Sequence, residues 1–125
     1  MAGYPTDWPA DCPSFDAEKA NGTVYRVCKE SPPLPEDFQS HAELGKHSQG
    51  SECMRRGLSV FKDRKEADHL TRLFPKLGKL VLRGTLEPGH ARIKATPSKK
   101  HPSHTTWWHF CGIERARPFL LDSEV

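Results

Sequence analysis

The sequence predicts an α+β fold, with a small, mainly antiparallel sheet, one well-defined helix at about 63–74, and long loops. Three observations point there. Asp63 to Phe74 carries a helical apolar period behind a start signal. Several short segments elsewhere are dominated by β-branched and aromatic residues, the mark of strands. Helical pieces come early and strands late, without the regular strand–helix alternation of a parallel sheet. With 11 prolines, 9 glycines and 35% hydrophobic residues among 125, the elements must be short and the core small.

Residues 1–22 hold isolated aromatics, Tyr4, Trp8 and Phe15, without periodicity, and read as an extended or mobile segment that either wraps the domain, each aromatic filling a surface notch, or stays mobile; residues 23–125 form one α+β domain. After the Asn21-Gly22 turn, Thr23 to Cys28 is the first strand, stopped by Ser31-Pro32-Pro33-Leu34-Pro35. Pro35 to Phe38 can open a short helix, and Ser40 to Gly50 is polar and aperiodic, a loop and candidate lid over 40–50. Gly57 to Phe61 is the second strand. Asp63-x-x-Glu66 then forms a capping-box pattern, and Ala67, Leu70, Leu73 and Phe74 share one helical face until Pro75. Lys79 to Leu86, His90 to Ala95, a strand around His104 to Cys111, and Pro118 to Leu121 complete the sheet.

Charge divides the chain. Residues 1–57 hold 6 basic and 9 acidic residues, and residues 58–125 hold 13 basic and 7 acidic. A basic half suits a phosphate-bearing or acidic partner. The first residues lack the basic and apolar regions of a secretory leader, and no apolar run nears the ~18 residues of a membrane span, so the expected address is cytoplasmic with no membrane partner. Cys12, Cys28, Cys53 and Cys111 are scattered without a close pair, which predicts free thiols and no metal site. Phosphate-loop, dinucleotide-fingerprint, zincin and nucleophile-elbow motifs are absent.

The richest stretch is His104-Thr105-Thr106-Trp107-Trp108-His109. As a strand it puts Thr106 and Trp108 on one face and Trp107 and His109 on the other, each pairing an aromatic with a polar group. Trp107 and Trp108 therefore either plug the two sides of a sheet or wall a pocket.

Val24-Tyr25-Arg26-Val27, then Gly57-Leu58-Ser59-Val60-Phe61, then the late tryptophan strand occur in an order that resembles the ADP-ribosyltransferase-like fold. Within it, the chain resembles small bacterial toxin-type domains whose first strand reads Tyr-Arg, and the resemblance covers 23 to about 121 in order of elements. The resemblance implies NAD as cofactor and transfer of ADP-ribose to a macromolecule. Arg26 would pair with a phosphate, Ser59 would hydrogen-bond ribose, and Tyr25, Trp107 or Trp108 would stack on nicotinamide. The chain departs from the family in one respect: no Glu follows the tryptophans on a strand, since Glu87 and Glu114 fall in turns and Glu124 at the end. Either the domain is inactive, or His104 or His109 takes the catalytic role. The expected cleft joins Tyr25, Arg26, Ser59, Trp107, Trp108 and His109, with His104 at its edge.

Three other readings compete. His101, His104 and His109 beside Lys99 and Lys100 resemble the acid–base equipment of RNA cleavage, although His104 and His109 fall on opposite strand faces. Cys111 two residues after His109 is a candidate thiol nucleophile. The runner-up function is non-enzymatic: an accessory or regulatory protein that binds nucleic acid or an acidic protein through its basic C-terminal half.

Overall fold

A computed structural model of the protein describes residues 3–46 and 51–121. Seven strands form one open sheet: β1 (Glu18–Lys19), β2 (Gly22–Cys28), β3 (Leu58–Phe61), β4 (Leu80–Leu86), β5 (Arg92–Ala95), β6 (His104–Trp108) and β7 (Phe119–Leu121). Their order is β1-β5-β6-β3-β2-β4-β7, and every described pairing is antiparallel. The α+β class and the antiparallel sheet are therefore as the sequence predicts. Among the described residues three α-helices accompany it: α1 (His41–Leu44), α2 (Glu52–Arg56) and α3 (Arg64–Leu73). Among the described residues no helix is long and apolar enough to cross a membrane.

Strand periodicity sorts the side chains onto two faces. One face carries the main core, where Val24, Val60, Leu82, Trp107 and Phe119 pack with Phe38 from the helical turn Pro35–Phe38. The other face is covered in two pieces. Over one end, Ala67 and Leu70 of α3 close on Phe61, Val81 and Tyr25. Over the other, the N-terminal segment and α2 close on Trp108 with Cys12, Ala17, Trp8 and Met54. Gly57 lets this end pack tightly: a Cβ there would lie 2.2 Å from Thr106 Cγ2 and 3.2 Å from Trp108 Nε1.

Residues 3–22 follow the first of the two courses expected of them and wrap the domain, while other expectations need correction. They strap the domain, with Glu18 and Lys19 paired to β5, Ala20 N–H donating to the Ala91 carbonyl, and Cys12 bonded to Cys53 across a separation of 41 residues. The scattered cysteines are thus one disulfide plus free Cys28 and Cys111, where the sequence predicted free thiols throughout. Phe15 fills no notch and is fully exposed. The expected loop at 40–50 begins as a helix: Ser40 and Glu43 close a capping box and Gly45 ends it at φ 68°. Residues 47–50 lie outside the described ones.

The helix predicted at 63–74 is present as α3, capped by Asp63 accepting from the Lys65 N–H. Its capping box does not close, because Glu66 instead accepts from the Ser103 N–H and ties α3 to the approach of β6. Leu73 and Phe74, expected on the apolar face with Ala67 and Leu70, are exposed.

Candidate functional site

The β2–β3 pairing is recorded at one position, Tyr25 opposite Phe61, whereas β2 runs beside β4 for seven residues. Past that position the backbone ladder gives way to a side chain. Arg26 donates from Nη1 to the Ser59 carbonyl (2.7 Å) and from Nε and Nη2 to the Asp37 carbonyl (3.0 and 2.8 Å). Its guanidinium also lies over the Phe38 ring, 5.0 Å from the centroid. Burial pulls its pKa down, a cost that these acceptors offset.

A cavity of about 500 Å³ opens where the ladder stops, between the α1–α2 region and α3. Arg26 from β2, Ser59 from β3 and His104 from β6 all border it. Lys29, Lys46 and Lys76 bring positive charge to its wall, with Glu36 and Asp37 opposing. The Asp37 carboxylate is already engaged by the backbone N–H groups of Lys29 and Leu34.

Ser59 and His104 meet directly. His104 Nε2 lies 2.9 Å from Ser59 Oγ, and His104 Nδ1 lies 2.9 Å from both the Thr96 carbonyl oxygen and Thr96 Oγ1. A carbonyl can only accept, so Nδ1 carries the hydrogen. Nε2 of the neutral ring is then a lone pair, and the Ser59 hydroxyl donates to it. Burial holds the His104 pKa below the ordinary value and favours the neutral ring, partly countered by the Thr96 contact. Ser59 itself is exposed. His101, on the same cavity wall, stacks edge-on against Phe61 and contacts His69 Nδ1 through Nε2 at 3.1 Å.

Of the residues singled out from sequence, Arg26, Ser59 and His104 come together on this cavity, and Tyr25, Trp107, Trp108 and His109 do not border it. Tyr25 packs beneath α3. Trp107 is buried in the main core, its N–H donating to the His90 carbonyl (2.7 Å); Trp108 is buried under the strap, its N–H donating to the Cys53 carbonyl (2.8 Å). These are the two plugs of a sheet, one on each side. His109 is buried between the rings of Trp8 and Trp107, and burial lowers its pKa. It is remote in role from His104, as the opposite strand faces implied. Strand β6 ends at Trp108, so the alternation that would bring Cys111 beside His109 does not extend that far, and Cys111 is exposed.

Sequence reasoning missed Thr96, which follows β5 without a motif of its own, and Asp37, whose main-chain carbonyl accepts from Arg26. It also missed His69, whose partner His101 is 32 positions away. No family model, curated protein or solved structure matches the chain.

Proposed function

We propose that this chain is an ADP-ribosyltransferase-like domain whose cavity binds NAD or a related nucleotide. One observation carries the reading. Three residues selected from three separate strands, Arg26, Ser59 and His104, border a single cavity of about 500 Å³, within the size range of small-molecule sites. Ser59 and His104 offer the hydroxyl and imidazole that suit ribose oxygens. Arg26 is committed to two carbonyls, so it braces the cleft, and Lys29, Lys46 and Lys76 supply the charge for phosphate. With Asp37 engaged by backbone, Glu36 is the carboxylate on the wall that ADP-ribosyl transfer would draw on.

Calorimetric titration with NAD tests this. Saturable binding is expected, weakened up to about 10-fold by Ser59→Ala, the loss of one hydrogen bond, and weakened again by Lys76→Glu. Tryptophan fluorescence is the poorer probe, because Trp107 and Trp108 are buried off the cavity. No heat with NAD, together with salt-sensitive binding of a short RNA, would overturn the nucleotide reading in favour of a basic surface that engages nucleic acid.

A further inference from the structure

The contact between Ser59 and His104 has the form of a hydroxyl nucleophile paired with its base, and it stands independently of any nucleotide. Such a pair requires three things: a nucleophile within hydrogen-bond reach of the base, a base fixed in the right tautomer by a third group, and room for a substrate. All three are met. Ser59 Oγ is 2.9 Å from His104 Nε2, the Thr96 carbonyl accepts from Nδ1 at 2.9 Å, and Ser59 is exposed on the cavity. The ring is further held edge-on against Phe61, with centroids 5.4 Å apart, so its orientation does not depend on one contact. Thr96 Oγ1 lies 2.8 Å from Thr106 Oγ1, which completes a chain of polar groups behind the imidazole.

We propose that Ser59 is the nucleophile, and His104 the general base, of an acyl-transfer site that hydrolyses carboxylic esters bearing an anionic substituent. Ser59 Oγ forms a bond to the acyl carbon while its proton passes to His104 Nε2. The tetrahedral adduct then breaks the bond to the leaving alcohol oxygen, which takes that proton. Water next attacks the acyl-serine, giving its proton to Nε2, and Ser59 Oγ leaves and recovers it. No electrons change hands and the net co-reactant is water. Lys29, Lys46 and Lys76 on the cavity wall favour an anionic ester over a neutral one.

A fluorophosphonate ester, which traps activated serines without turnover, tests the proposal on the intact chain. Intact-mass analysis should show a single adduct, mapped by peptide sequencing to Ser59 and absent in Ser59→Ala. His104→Gln should label at least about 100-fold more slowly, the low end of what a positioned base contributes. The wild-type rate should rise with pH through one ionisation below 6.5, the ordinary imidazole value. Of the titratable groups acting on His104, His101 pushes that ionisation down and Glu66 of α3 pushes it up. A merely structural His104 would give no such profile, and the wild-type arm holds even where His104→Gln fails to fold. No adduct on folded wild-type protein, an adduct elsewhere, or a rate without that ionisation would overturn the proposal. NAD binding is read by calorimetry, so loss of either result leaves the other standing.

Discussion

The two ends of β6 share one strand and differ in almost everything else. At the Trp107–Trp108 end both faces are sealed: Trp107 enters the main core and Trp108 lies under the strap, each with its indole N–H satisfied by a carbonyl. At the His104 end the imidazole meets the exposed Ser59 of β3, and both border the cavity that opens beside the stretch of β3 not laddered to β2. The difference teaches where stability and chemistry are kept apart. Large side chains with satisfied N–H groups fix the sheet at one end, which leaves a small hydroxyl and an imidazole free to face a cavity at the other.

The largest effect should come from breaking the sealed end. Trp108→Ala removes a fully buried indole against a tight Gly57 contact, and should cost about 4 kcal/mol in denaturant unfolding. Fluorophosphonate labelling of the surviving folded fraction should be unchanged. A loss of labelling without a loss of stability would show that the two ends are coupled and break the comparison. Next comes the strap. Reducing Cys12–Cys53, or replacing both by Ser, frees a closure of 41 residues and should cost about 3 kcal/mol. Thiol counting before and after reductant should show two reacting groups becoming four in unfolded protein. Four thiols without reductant would remove the bond from the account.

Arg26 belongs to both ends of the comparison. Arg26→Ala strands the Asp37 and Ser59 carbonyls and empties the space over Phe38, so about 2 kcal/mol of stability should go. The resemblance to ADP-ribosyltransferase-like domains implied instead a phosphate-binding Arg26, whose removal would leave the fold intact. Unaltered unfolding in Arg26→Ala, with ligand binding lost, would restore that role.

What was legible in the sequence follows from how local each signal is. Asp63, the apolar spacing of Ala67 and Leu70, and Pro75 define α3 within a dozen residues, and the helix lies where they put it. The strands β2, β3, β4 and β6 were visible because β-branched and aromatic residues mark them one by one. Their order in the sheet was not, since nothing local says that β2 lies between β3 and β4. The Cys12–Cys53 bond and the His69–His101 contact join distant positions with no spacing rule, so they were invisible. The site was half legible. Arg26 and Ser59, singled out by the resemblance, and His104, singled out as an imidazole, share the cavity, whereas the tryptophans expected to stack on a ligand went to packing, the alternative their bulk had left open.

The smallest effects are pH effects, and their signs are set. His104 and His109 both have pKa values lowered by burial, so the unfolded chain binds protons more readily than the folded one below about 6.5. Stability that is full above that pH is lost as pH falls towards the folded values. Glu43 follows at lower pH: hydrogen bonding to Arg115 holds its carboxyl at about 2 against an ordinary 4.5, so its contribution is lost between about 4.5 and about 2. Glu43 is 40% exposed, and solvent screening keeps that contribution below about 1 kcal/mol. Urea midpoints from pH 8 to 3 should therefore fall in two stages, with His109→Gln shallowing the first and Glu43→Gln the second. If His109→Gln leaves the first stage untouched, the sealed end does not exclude water from His109. The contrast between the two ends of β6 would then rest on the tryptophans alone.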